Sequence, residues 1–181
     1  MTEAPILLPD PSARFEAAFR AVHARTMRGL AFVNPTLRVE AVGFAPWKAH
    51  WLGVMVTPWS MNLVIAPRDL AQWRSLPAGE KRRYAFPAGD FDFIGARAEA
   101  IGAYLACSLF SPMLEFADHA TACDTARFAR EALFDAAHAQ SPAEPPVAHA
   151  DAEASGGGLS ERIDAIANAR ISRRALVHGD F

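Results

Sequence analysis

Residues 51–67 read WLGVMVTPWSMNLVIAP. Two dense apolar runs, 51–57 and 61–66, flank a Pro-Trp-Ser break. Runs of this length and composition are consistent with strands buried on both faces. Pro58 has no N–H to give to a sheet ladder, so it divides the stretch into two strands joined by a bend.

The strand pattern continues on either side. Segment 37–44 alternates, with Val39, Ala41 and Gly43 on one face and Arg38, Glu40 and Val42 on the other. Segment 81–86 alternates loosely and runs into Pro87-Ala88-Gly89-Asp90, a strong turn signal. Phe91, Phe93 and Ile94 begin a returning strand, which predicts a hairpin. Segment 104–110 is a further apolar strand, closed by Ser111 and Pro112.

Helical spacing appears at both ends. Phe15, Phe19, Val22, Thr26 and Leu30 predict an amphipathic helix over 13–30, with Ser12 as its cap. From 113 to about 139 the pattern is helical again. Phe116, Ala120, Cys123, Phe128 and Leu133 do not share one narrow stripe, so a kink or two short helices are expected there. Strands in the middle and helices at the ends predict an α+β fold. Its sheet is mostly antiparallel, of five to six strands, packed with N-terminal and C-terminal helices.

Pro5, Pro9 and Pro11 make 1–11 an extended arm, and the globular domain is expected over 12–140. Residues 141–158, SPAEPPVAHADAEASGGG, cannot bury a core and read as a flexible linker. In the tail, 159–181, Leu159, Ile163, Ile166 and Arg170 sit at helical spacing, enough for a short helix that is marginal alone.

Composition narrows the function classes. The chain has 181 residues, 51% hydrophobic and 21% charged, which is ordinary for a soluble globular domain. A net charge of −2 offers no electrostatic case for nucleic acid. The start lacks a basic n-region and its short apolar stretch is interrupted by prolines, so no secretion signal is expected. No apolar run approaches the ~20 residues a bilayer crossing needs. These features point to the cytoplasm without membrane insertion, where Cys107 and Cys123 would not form a structural disulfide.

Two proline-broken strand ends stand out as a binding surface. Thr57-Pro58-Trp59-Ser60-Met61-Asn62 offers a large aromatic, an adaptable thioether and a side-chain amide. Ser111-Pro112-Met113-Leu114-Glu115-Phe116 repeats the order of hydroxyl, proline and bulky residue, and Glu115 and Asp118 add negative charge. If their strands are neighbours, the two bends form one site. The residues singled out are Trp59, Met61, Asn62, Ser111, Met113, Glu115, Phe116 and Asp118. The plainer reading puts Trp59 and Met61 in the core and gives Glu115 and Asp118 to a helix N-terminus. His119 and Cys123 are four apart on a helix, and Cys107 is a third donor, but a cysteine in an apolar strand is usually inert, so no metal is expected.

Three segments resemble a known family: NPTLRVEAVGF at 34–44 with Trp47, WLGVMVTPWSMNLVIAP at 51–67, and FPAGDFDFIG at 86–95 continuing to YLACSLFSPMLEFAD at 104–118. Together they are similar to the HybE/HupJ/HoxT family of [NiFe]-hydrogenase maturation proteins over about 34–118, with the region beyond 140 outside the matching core. Ser60 stands where the family pattern has a bulky aromatic, which weakens that position as a client anchor. The resemblance implies a chaperone rather than an enzyme, without a cofactor. It would bind the small, iron–sulfur subunit precursor with its twin-arginine signal until assembly. The alternatives are a binding module for the large subunit or another maturation factor, or a small Cys/His metal carrier. Some relatives carry a rubredoxin-like segment with cysteine pairs, which this chain lacks.

The tail holds Ser172-Arg173-Arg174-Ala175-Leu176-Val177, which resembles the twin-arginine export motif. At this end of a chain it cannot direct secretion. Ser172, Arg173, Arg174 and Leu176 are read as a tethered signal mimic, against the plainer reading of a solvated basic end.

Overall fold

A computed structural model describes residues 6–138. The linker and the tail residues Ser172, Arg173, Arg174 and Leu176 lie outside the described residues. The elements are α1 (Ser12–Val22), β1 (Glu40–Trp47), β2 (His50–Val56), β3 (Met61–Pro67), β4 (Lys81–Phe86), β5 (Gly89–Ala98), β6 (Gly102–Phe110) and α2 (His119–Ala132). The strands form one six-stranded antiparallel sheet in the order β1-β2-β3-β6-β5-β4. Two meanders, β1–β3 and β4–β6, therefore join along β3 and β6. This is the α+β architecture that the strand runs predict.

The central strands are buried on both faces, as their unbroken apolar runs require. Leu52, Val54 and Val56 of β2 and Met61, Leu63 and Ile65 of β3 point to one side, into a core closed by α2. Met55 of β2, with Val64 and Ala66 of β3, points to the other side, where α1 brings Phe15 and Phe19. Gly53 belongs to this second face. A Cβ there would lie 2.3 Å from the Phe44 ring, so the ring occupies the space that glycine leaves open.

Both helices are shorter than predicted. α1 stops at Val22 and passes into a wider π turn, His23–Met27, in which the N–H of Arg28 donates to the carbonyl of His23 at 3.0 Å. Arg28 is extended and Gly29 has φ +82°, so the helix cannot continue. Phe15 and Phe19 keep the predicted inward stripe, whereas Val22, Thr26 and Leu30 are exposed. Ser12 is the first helical residue, not the cap. Its N–H donates to the carboxylate of Asp10 at 2.8 Å.

α2 is one uninterrupted helix that begins only at His119. Residues 113–118 stay irregular because Met113 and Phe116 turn back into the core. Asp118 then caps the helix, accepting from the N–H of Thr121 at 2.8 Å and from its hydroxyl at 2.9 Å. Ala122, Cys123, Ala126, Ala129 and Leu133 form its inward stripe. Small alanines let the helix axis approach the sheet closely. At the two sheet edges, Trp47 of β1 stacks on Phe86 of β4 at 4.7 Å, which draws the edges together over the α2 face.

Candidate functional site

The turn from β2 to β3 is built by one hydroxyl. Thr57 Oγ1 accepts the N–H of Ser60 at 2.9 Å and donates to the carbonyl of Ser60 at 2.8 Å. The N–H of Thr57 donates to the same carbonyl at 2.9 Å. Pro58 sits inside this four-residue loop, where its missing N–H is not needed. Trp59 lies half-buried on the outer face, stacked on Phe19 at 6.5 Å and beside His23 at 5.7 Å.

β3 and β6 are neighbours, and Met61 pairs with Phe110 in register. The bend after β6 therefore lies next to the bend before β3, so the structure brings the two sequence motifs together at one end of the sheet. It divides their residues sharply by exposure. Met61 and Met113 are fully buried and Phe116 nearly so. These three were expected to face a client and instead fill the α2-side core. Phe116 packs edge-on to Phe110 at 5.2 Å. The alternation of β3 puts Met61 on the inner face, and burying the Met113 thioether anchors the bend. Trp59 and Asn62 are partly accessible, and Asn62 donates to the Ser60 hydroxyl at 3.0 Å. Ser111, Glu115 and Asp118 are exposed. Leu114, between the two buried anchors, is the most exposed large apolar side chain here at 55%.

The residue that holds the site together was not singled out from the sequence. Asn34 is buried, and its amide nitrogen donates to two carbonyls, Met113 at 3.0 Å and Phe116 at 2.8 Å. Its side-chain oxygen accepts the N–H of Thr36 at 3.0 Å and the Thr36 hydroxyl at 2.7 Å, which fixes the orientation of the amide. Its backbone N–H donates to the carbonyl of Pro58 at 2.8 Å. One asparagine thus clips both proline bends to the loop after α1. That loop turns at 30–33, where the N–H of Val33 donates to the carbonyl of Leu30 at 3.0 Å. The turn leaves Leu30 41% and Phe32 44% exposed. The only early signal was the Asn-Pro-Thr string itself, since nothing local shows what a loop amide will reach across about eighty residues.

The accessible surface at this end is therefore apolar and loop-borne: Leu30, Phe32, Trp59 and Leu114, with Glu115 at its margin. Both carboxylate oxygens of Asp118 are engaged by Thr121. The N–H of Thr121 is the chief reason that Asp118 is held below the usual carboxylate range. The helix-capping reading of Asp118 is thus the one the geometry carries. Glu115 makes no ion pair with a described residue, so it is the acidic group available to a cationic ligand.

The metal question is decided by a different trio from the one the sequence suggests. Cys107 is buried in β6 and pushed up to about 12 by burial. Glu40, His119 and Cys123 lie together instead, their donor atoms all within 4.8 Å. His119 Nε2 is 2.9 Å from Glu40 Oε2 and 3.4 Å from Cys123 Sγ. The backbone N–H of Arg38 donates to His119 Nδ1 at 3.2 Å. A nitrogen that accepts an N–H carries no proton of its own, so in the neutral ring the proton sits on Nε2. Nε2 then donates to Glu40 and has no lone pair for a metal. Cys123 is also pushed up to about 12, first by burial and then by the Glu40 charge, so in the metal-free protein it stays a thiol. The trio works as a polar latch between β1 and the start of α2.

The latch gives a pH signature. The hydrogen bond from His119 holds Glu40 below its ordinary value of 4.5. A carboxylate depressed by folding stabilises the fold above its unfolded pKa, and that stability is lost as pH falls through the folded value. Urea midpoints of the wild type and Glu40→Gln are expected to differ at pH 6 and to converge once the pH has fallen below 4.5 and through the lowered Glu40 value. A constant gap across that range would show that the ionised latch contributes nothing.

The family described as "[NiFe]-hydrogenase assembly, chaperone, HybE" matches residues 10–179 of this chain. The chain belongs to the HybE family of [NiFe]-hydrogenase assembly chaperones. The family match also takes in most of the tail, which the sequence resemblance had left outside. Among HybE relatives, the hydrogenase expression/formation protein HupJ of Bradyrhizobium diazoefficiens is 40% identical over 136 residues, covering 72% of this chain and 79% of its own. Protein HoxT of Cupriavidus necator is 40% identical over 131 residues, or 65% of this chain and 72% of its own. A Rhodobacter capsulatus protein named probable rubredoxin HupJ is 41% identical over 120 residues, 66% of this chain but only 43% of that longer one. The solution structure of HybE from Escherichia coli aligns with a TM-score of 0.54 at 28% identity, covering 87% of this chain and 96% of that one. This chain thus shares its fold with that HybE structure. None of the helices among the described residues is long and apolar enough to cross a membrane.

Proposed function

We propose that this HybE-family chaperone acts in the cytoplasm on the precursor of the hydrogenase small, iron–sulfur subunit, twin-arginine signal included, and holds it before export and assembly. The role is one of binding, not catalysis. The observation that carries the reading is the clipped double bend: Asn34 fixes two adjacent loops whose outer side chains are apolar, and Glu115 beside Leu114 makes no ion pair with a described residue. A folded domain that exposes several large apolar side chains at one end marks that end as an interaction site. Trp59 supplies area, Leu114 and Phe32 supply apolar contact, and Glu115 supplies negative charge for signal arginines, with Asp118 kept to its capping of α2. Ser111 and Asn62 offer polar groups at the rim. Met61, Met113 and Phe116 act indirectly, by setting the shape of the bends from within the core.

The test is affinity for the small-subunit precursor with and without its signal, compared between wild type and Leu114→Glu. Leu114 is exposed, so its replacement should leave the melting temperature unchanged. Affinity for the signal-bearing precursor is expected to fall at least tenfold, the size of effect a central apolar contact gives. Equal binding by both proteins would remove this surface from the interaction. Binding to the large subunit or another maturation factor instead would redirect the proposal to that partner.

A further inference from the structure

Phe32 and Leu114 are exposed on two loops that Asn34 clips together, and Glu115, next to Leu114 in the chain, makes no ion pair with a described residue. The chain itself carries the complementary chemistry at 172–177: a hydroxyl, two guanidinium groups, then Ala175, Leu176 and Val177. We infer that this C-terminal segment docks on its own domain, with Arg173 and Arg174 at Glu115 and Leu176 against Leu114 and Phe32. The inference rests on the proposed reading of that surface as a site for a basic and apolar segment. It adds an occupant that is already present in the molecule.

Reach and charge both allow it. α2 starts at the double bend and leads the chain away from it. Fourteen residues of helix span about 21 Å. Residues 139–171 then have a contour of roughly 110 Å, several times what is needed to return. Arg162, Arg170, Arg173 and Arg174 outnumber Asp164 between 162 and 174, so the returning segment is cationic and can pair with Glu115. Tethering confers an effective concentration on the order of a millimolar. An intrinsically weak contact is then mostly made, and a client must displace it. The family match through 179 shows that this end of the chain is part of the family's sequence pattern and not an unrelated extension.

The test uses the full chain carrying Leu114→Cys and Val177→Cys, since the native Cys107 and Cys123 are buried. A short bifunctional thiol reagent should give an intramolecular crosslink. Adding Arg173→Glu and Arg174→Glu should abolish it, and a further Glu115→Arg should restore it. A control pair, Ile94→Cys with Val177→Cys, places the first thiol on the exposed side of β5 and should crosslink far less. Equal yields for the two pairs, or a yield indifferent to the charge reversals, would overturn the docking. The second reading is client affinity. Arg173→Glu with Arg174→Glu, in the otherwise native chain, should bind the signal-bearing precursor on the order of tenfold more tightly as competition is lost. Specific crosslinking with unchanged precursor affinity would uphold tail docking and reject this surface as the precursor site. Loss of the charge-dependent crosslink, with precursor binding still sensitive to Leu114→Glu, would reject docking and leave the site.

Discussion

Asn34→Leu is expected to destabilise the protein by about 3–4 kcal/mol and to lower its melting temperature by roughly 10 °C. The side chain is buried and its amide serves two main-chain carbonyls that have turned away from regular structure. Leucine keeps the volume and removes both donors. The Phe116 carbonyl loses its Asn34 donor, while the Met113 carbonyl keeps only the long bond from the Phe116 N–H at 3.3 Å; a buried carbonyl left without a partner costs about 1–3 kcal/mol. Asn34→Asp is the sharper control. It preserves the acceptor for Thr36 but puts a carboxylate where two carbonyl oxygens point, so it should be at least as damaging. The same variants should weaken precursor binding even at temperatures where they are folded, because both bends lose their common anchor. A stability loss below 1 kcal/mol for Asn34→Leu, read from urea denaturation, would show that the bends are held by their buried methionine and phenylalanine alone.

Phe15→Ala should cost about 4 kcal/mol. Phe15 has no exposed surface and is the only fully buried residue of α1. Its ring meets Phe44 at 5.6 Å and Tyr104 edge-on at 5.2 Å, and it stacks with Phe19 at 6.4 Å. Truncation opens a cavity at the centre of the α1-side core, whose other aromatic members, such as Phe19, Phe44 and Tyr104, are only partly buried. That core is separate from the one beneath α2. Amide exchange should therefore rise first across α1, with β3 and β6 keeping their protection. A uniform rise over the whole chain would mean that the two cores are not separable. Trp59 leans on Phe19, so the loss should also loosen Trp59 and blue-shifted tryptophan emission should move toward that of exposed indole.

The sequence was most legible where local chemistry and burial agree. Runs 51–57 and 61–66 are apolar on both faces, and a strand between two layers needs that pattern. The Pro87-Ala88 turn needed only nearest neighbours to be read. Pro58 marked a true break between strands, and the proximity of the two bends follows from the adjacency of β3 and β6, which had to be assumed. The errors have physical causes. Helical spacing at Val22, Thr26 and Leu30 matched a template while Gly29 and the π turn ended the helix. Met113 and Phe116 were counted toward a helix and a binding face because composition cannot tell an exposed anchor from a core plug. Met61 was offered to a client although strand alternation from Leu63 and Ile65 already placed it inside.

What the sequence determined by itself is the fold class, the strand positions and, through long ordered motifs, the family. Each depends on the order of residues within short windows, where backbone geometry links spacing to the face on which a side chain falls. Tertiary structure alone decided which bulky residues are available and which are sealed. It also chose Glu40 over Cys107 as the partner of His119 and Cys123, and made Asn34 the clip between three loops. Those outcomes depend on which groups meet after segments about eighty residues apart fold together, and a hydrogen bond across such a distance leaves no local trace in the chain.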